Sequence, residues 1–372
     1  MRSENTITEE DEMAKTPIAR LKKILLVRND RIGDLVLTLP AFQAVRRQWP
    51  RARVAALVSP YTAPLLSGTG YVDEVILDDT ADGPQDLARR LKPHEFEAVL
   101  VFNSNTRNCR AMWHAGVPRR VCWAYKPAGM LLGNLRVRVH RTHPPIHEAE
   151  FALAFVRRLG GAAVMANLSP HLHVDAHTRE RIAARIQREL GSNGPLFGVH
   201  PGNGASAFNW PMEHYVELIH RLAGHGRVMI TGSAAERPML AAIRAGVCDT
   251  AANRVGYFSD FDLGELAAAL SLVSSFTASS TGPMHMAGIL ETPVVALFSP
   301  HPVHAPAKWA PLGRKHALLV APLEPSEDPR IPRERGEAVM SRIAVADVLA
   351  ANLMNAQSWP AADGVERWSR AS

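Results

Sequence analysis

The sequence predicts two successive α/β units, each a parallel sheet covered on both faces by helices. Short continuous apolar runs alternate with segments of helical spacing, and those runs are too apolar for half-exposed strands. The rhythm stops near residues 170–195 and starts again. The length, 372 residues, amounts to about two and a half average domains of roughly 150 residues.

Taken in order, residues 1–20 form a polar tail without the apolar centre of a signal peptide. KKILLVR (22–28) reads as a buried strand, and residues 35–50 as a helix that Pro40 must start or kink. RVAALVS (53–59), DEVILD (73–78) and EAVLVFN (97–103) are further strands, with a helix at 86–92 and a long one at 148–160 ended by Gly160. An amphipathic stretch at 178–190 precedes the connection GSNGP. Strands at 195–202, 226–233, 274–279 and 293–300 then alternate with helices at 212–224, 236–246, 262–273, 282–290 and 343–355. The expected division is a tail over 1–20, a first unit over 21–175, a linker over 176–194, a second unit over 195–350 and a tail over 351–372.

Hydrophobic residues at 47% and charged residues at 21% are enough for two sizeable cores. No apolar run approaches the roughly 18 residues of a membrane span. Cys109, Cys122 and Cys248 are too widely spaced for a disulfide framework or a CxxC zinc site, which fits a reducing, cytoplasmic compartment. The 42 basic and 36 acidic residues leave a net charge of +6, which favours anionic partners: a phosphorylated substrate, an anionic membrane surface or nucleic acid. Nucleic acid is disfavoured, because there is no long Lys/Arg run and no basic–aromatic stripe.

In open α/β sheets ligands bind beyond the carboxyl ends of the strands, and four post-strand loops stand out. RNDRIGD (28–34) offers Gly33 for a tight turn and Asp34 near a helix start. Asp34 is either an ordinary N-cap or a general base at a cleft mouth, with Arg28 and Arg31 beside it for anions and Asp30 a second candidate. HPGNGASAFNWP (200–211) is either a flexible turn or a loop whose Gly202, Asn203 and Gly204 let backbone amides approach a phosphate. TGSAAE (231–236) places Gly232 at a strand end and Glu236 at a helix start, as a cap or as a partner for ribose hydroxyls. SSTGPMHMAG (279–288) leads Ser280, Thr281 and Gly282 into a helix with Pro283 in its first turn. Its unpaired amides suit a diphosphate, or else Ser280 or Thr281 caps them.

Other features read as decoys. Asp260-Phe-Asp262 matches a metal-binding D-x-D but directly precedes a helix and reads as a cap. His140, His143 and His147 lack a ligand spacing, so no metal site is expected. His301 and His304 read as solvated, and Trp210 and Trp309 as loop packing. There is no G-x-S-x-G for a hydrolase and no G-x-G-x-x-G for a dehydrogenase.

Together the loops resemble glycosyltransferase family 9, the heptosyltransferases of lipopolysaccharide core assembly. The resemblance covers about residues 22–350 and is carried by ILLVRNDRIGDLVLTLPAFQAVRRQWP, GVHPGN, WPMEHYVELIHRL, VMITGSAAE, STGPMHMAGILETPVVALFSP and MSRIAVADVLAAN. It implies a GT-B fold, two Rossmann-like domains facing across a cleft, with an inverting mechanism, no metal and no cofactor. The donor implied is a nucleotide-sugar, ADP-heptose foremost, held mainly by the second domain. The acceptor is a glycan or lipid-linked glycan, with any membrane contact peripheral. By the same resemblance Asp34 inherits the general-base role and Gly33 belongs to the acceptor loop. Thr281, Gly282, Pro283, Met284 and His285 surround the diphosphate, and Glu236 contacts the nucleoside. The sequence departs from the family pattern at Phe208 and Asn209, where a basic residue usually precedes the tryptophan, and at Ser280, where many members have Asp. Two rival readings are a GT-B binding protein without transfer and a nucleotide-sugar epimerase.

Overall fold

The computed structural model describes residues 21–79, 81–140, 145–204 and 207–358. The chain divides into two compact units between His171 and Leu172. In the first, β1 (Lys23–Val27), β2 (Arg53–Val58), β3 (Glu74–Leu77), β4 (Ala98–Val101), β5 (Arg119–Trp123) and β6 (Leu135–Val137) form one parallel sheet. Its order is β3-β2-β1-β4-β5-β6. The helices between strands are α1 (Ile32–Gln48), α2 (Pro84–Leu91), α3 (Thr106–His114) and α4 (Pro127–Leu132), and α5 (Glu148–Leu159) follows the sheet.

The second unit repeats the plan. β7 (Leu196–His200), β8 (Arg227–Thr231), β9 (Val255–Phe258), β10 (Ser275–Ser279), β11 (Val294–Phe298) and β12 (His316–Val320) are parallel, in the order β12-β11-β10-β7-β8-β9. Its helices of two turns or more are α6 (Ala176–Leu190), α7 (Met212–Ala223), α8 (Arg237–Gly246), α9 (Leu263–Leu270), α10 (Gly282–Ile289) and α11 (Val345–Ser358). Each sheet therefore starts in the middle, runs outward to one side, and returns to build the other. Each unit has its own apolar core, one around Leu25, Val27, Val99 and Val101, the other around Phe197, Val199, Trp210 and Ile230.

Three expectations change. Of the two readings of Pro40, a helix start is excluded, because Pro40 lies inside a helix. α1 runs unbroken through it, buried at Ile32, Leu35, Val36, Leu39, Phe42 and Val45 and packed on α5, so burial outweighs the one backbone hydrogen bond that proline removes. The segment 176–194, expected to link the units, holds its amphipathic stretch as the helix α6 and lies within the second compact unit. Asp175 caps it through the Thr178 amide at 2.8 Å, and Ile182, Ile186 and Leu190 are buried at four-residue spacing where the helix packs on α9. Residues 351–358 belong to α11, where the fully buried Asn352 amide donates to the Thr277 hydroxyl on β10 at 2.8 Å. The polar segments 1–20 and 359–372 lie outside the described residues.

Candidate active site

In the first unit β1 has β2 on one side and β4 on the other, so helices leave toward opposite faces at the ends of β1 and β4. A crevice opens at such a switch point, and the loop 28–34 sits there. Arg31, exposed and extended, holds the N-cap position of α1; Asp34 is the third helical residue and caps nothing. The Asp34 carboxylate instead accepts from the Arg28 guanidinium and keeps 20% of its surface. Asp34 is therefore oriented by a cation and still reachable.

Arg28, expected to meet an anionic substrate, is only 3% exposed. Besides Asp34, its guanidinium lies 3.1 Å from Asp30 and 3.4 Å from the buried Glu148 at the start of α5. Three carboxylates thus surround this one buried guanidinium. Burial pushes the Asp30 carboxyl up to about 6, against the pull of Arg28 and with the neighbouring Asp34 charge adding to the rise. Arg31 is the loop's solvent-facing cation.

A polar network behind the loop was missed by the sequence reading. Asn29 donates to Asp78 at 2.6 Å and accepts from Asn103 at 2.7 Å and Asn108 at 2.9 Å. Arg107 pairs with both Asp78 oxygens at 3.0 and 3.1 Å. Ser104, in the loop after β4, has φ +42°, a conformation that costs a non-glycine residue energy. Its hydroxyl donates to the Val101 carbonyl at 2.6 Å and accepts the Trp123 amide at 2.9 Å. The Asn-rich run FNSNTRN after an apolar strand was the available signal.

In the second unit the switch point lies between β7 and β10, flanked by the loops 200–211 and 279–283. Thr281 is the N-cap of α10, but its side chain makes no capping bond, and its buried hydroxyl has no hydrogen-bond partner among the described residues. Gly282 and Pro283 open the helix, and Met284 and His285 are buried behind them. The helix tip thus presents first-turn amides that Thr281 does not cap, with the Thr281 hydroxyl beside them. Ser280 lies half-buried just before it.

Glu236 forms a capping box with Ser233, accepting its amide at 2.7 Å and its hydroxyl at 2.9 Å. The carboxylate also lies so close to Gly202 that a β-carbon there would collide with it. Gly232 likewise lets Leu240 close in. Asn203 donates to the Ala207 carbonyl at 2.7 Å, and Gly204 has φ +51°. Asn209 locks the loop to the end of β10: it accepts from Tyr215 at 3.1 Å and Ser279 at 3.0 Å and donates to the Pro201 carbonyl at 2.7 Å. Phe208 packs on Gly336 and against His301 and His304, which are half-buried rather than solvated. A cavity of ≈ 320 Å³ at this loop is lined by Asn203, Phe208, Tyr215, Arg333 and Glu337 among others.

The decoys have structural roles. Asp260 takes both guanidinium nitrogens of Arg185 at 3.0 Å, and Asp262 caps α9 through the Glu265 amide at 2.8 Å. His147 caps α5, His140 packs on Tyr125 with the two rings tilted by 40°, and His143 lies outside the described residues. Trp210 bonds the Ile343 carbonyl at 3.1 Å, and Trp309 the Val303 carbonyl at 2.8 Å.

Two Rossmann-like sheets of this order give the chain a fold of the GT-B class. The comparisons agree. The model of "Glycosyltransferase family 9 (heptosyltransferase)" matches residues 85–336. The lipopolysaccharide heptosyltransferase 2 of Escherichia coli K12 is 26% identical over 312 residues, covering 80% of this chain and 87% of its own. Among solved structures, E. coli ADP-heptose LPS heptosyltransferase II superposes with a TM-score of 0.75 at 21% identity, covering 90% of this chain and 98% of its own. A family 9 glycosyl transferase from Veillonella parvula gives 0.77 at 18%, covering 91% and 98%. This chain belongs to glycosyltransferase family 9, the heptosyltransferase family.

Proposed function

We propose that the chain is an inverting, metal-independent transferase that moves a sugar from a nucleotide-sugar to a lipopolysaccharide-core or related glycan acceptor. ADP-heptose is the donor we favour: one relative's name contains ADP-heptose, and another solved heptosyltransferase is described with bound ADP. The observation that carries the reading is Asp34, a carboxylate oriented by Arg28, partly exposed and free of any capping duty. In this role it takes the proton of the acceptor hydroxyl as that oxygen attacks the anomeric carbon, a contribution of about 10²–10⁴ in rate. The carbon–oxygen bond to the diphosphate breaks, and the charge that develops meets the amides of Gly282 and Met284 and the hydroxyl of Thr281. Fixed donors of this kind stabilise a leaving group without a cation. Arg333 supplies the positive charge that Phe208 cannot, and Arg31 draws in an anionic acceptor.

Asp34→Asn is expected to leave donor binding and folding intact while transfer falls at least about a hundredfold. Near-normal turnover would remove Asp34 from the chemistry. Transfer is expected to be unchanged by EDTA, because Asp260 and Asp262 are committed to Arg185 and to the α9 cap. A thermal-shift series over ADP-, GDP-, UDP- and dTDP-sugars ranks the nucleotide, since a ligand of the folded state raises its melting temperature. Phe208 favours one second reading, a binding protein without transfer; donor binding by calorimetry with no transfer to any acceptor would establish that instead.

A further inference from the structure

The edge of the first sheet at β6 carries a face that the proposed chemistry does not use. Between Ala98 and His140 the sequence has seven Lys or Arg residues and not one Asp or Glu. Two are consumed internally, Arg107 by Asp78 and Arg120 by the Leu132 and Val117 carbonyls. Arg110, Lys126 and Arg138 are exposed and Arg119 and Arg136 half-buried, and none of the five forms an ion pair among the described residues. Carboxylates on the elements packed alongside are already paired: Asp82 with Arg90, Asp86 with Arg89, Glu150 with Arg157.

The same stretch exposes large apolar side chains. Trp113 at the end of α3 is 51% exposed, Tyr125 before α4 is 49%, and Met130 and Leu131 on α4 are 52% and 74%. α3 and α4 pack on each other and α4 on β5, which pairs with the edge strand β6, so the elements that carry these residues lie together at one edge of the sheet. Leu131 gains nothing from the fold at that exposure. Apolar tips and an aromatic ring interleaved with unpaired cations match an anionic bilayer, where the tips enter the acyl boundary and the cations meet headgroup phosphates.

We propose that this β5–α4–β6 edge docks the protein peripherally on an anionic lipid bilayer, with Leu131, Met130 and Trp113 inserted and Arg110, Lys126 and Arg138 on the headgroups. This deepens the lipid-linked acceptor reading and rests on it for its purpose, yet its test needs neither donor nor acceptor. The full chain is sedimented with phosphatidylcholine vesicles and with mixed phosphatidylcholine–phosphatidylglycerol vesicles at low and high salt. Binding is expected only to the mixed vesicles and is lost at high salt, since counterions screen the attraction. Lys126→Glu with Arg138→Glu, and separately Met130→Ser with Leu131→Ser, are each expected to weaken partition about tenfold or more. These exposed positions leave the fold intact, checked by an unchanged melting temperature. Brominated lipid is expected to quench part of the tryptophan emission, a part missing in Trp113→Phe. Absence of binding to the mixed vesicles, or binding that both double variants retain, overturns the proposal. Binding to soluble polyglutamate without binding to vesicles also overturns it and reassigns the face to an acidic protein. Transfer to a water-soluble acceptor is expected to be equal in the parent and the variants, so failed docking is distinguishable from failed transfer.

Discussion

One buried guanidinium faces the three carboxylates of Asp30, Asp34 and Glu148. Asp30 is the group that burial moves, to about 6, so the folded protein holds a proton there that the unfolded chain releases above about 4. The stability tied to that proton is fully present below pH 4 and is lost as pH rises through 6. Asp30→Asn mimics the protonated form. Its unfolding free energy is expected to match the parent at pH 4 and exceed it by about 1–2 kcal/mol above pH 6, a figure reduced for the one-third exposure of Asp30. Equal denaturation midpoints at pH 7.5 would refute it. Arg333→Ala is expected to raise the donor KM with little change in kcat, because its proposed contact exists before and during transfer. At this scale Asp34 was legible because a glycine-aspartate pair between a buried strand and a helix is a local signal. Glu148 was not, since it meets Arg28 across 120 residues and only folding joins them.

Helices and strands were legible where one physical cause dominated. β1, β2, β4, β7, β8, β10 and β11 are buried on both faces, which leaves an unbroken apolar run. β5, β6, β9 and β12 gave no such run. They lie at or next to sheet edges; β5, β6 and β12 carry Arg119, Arg120, Arg136 or His316, β9 is four residues with Gly256 inside it, and β6 is three residues long. α3 and α4 were missed with them, because their exposed Trp113, Met130 and Leu131 blur any amphipathic period. Caps were more readable. Asp262 and Glu265 form the reciprocal box that opens α9, so Asp262→Ala is expected to cost about 1 kcal/mol in urea unfolding and leave transfer unaltered. Gly202→Ala is expected to behave oppositely. The new β-carbon displaces the Glu236 carboxylate, so donor affinity falls more than stability does.

For the whole molecule, two separate cores predict two calorimetric transitions on heating. A nucleotide-sugar is expected to raise the later-sequence unit's transition and leave the other in place; a shift confined to the first unit would contradict the donor assignment. The repeated strand order also constrains how the chain is made. β1 is translated first yet lies in the middle of its sheet, and its partner β4 begins 75 residues on, where Ala98 aligns with Ile24. The first sheet cannot close until Val137 has emerged, and the second needs Val320. At about 5–20 residues per second, the ribosome gives the first unit roughly 10–40 seconds to fold before its sibling is complete. Synonymous codons that hurry translation across the 171–195 region would shorten that head start, and the result would be read as aggregation of newly made protein, not as altered activity of the fraction that folds.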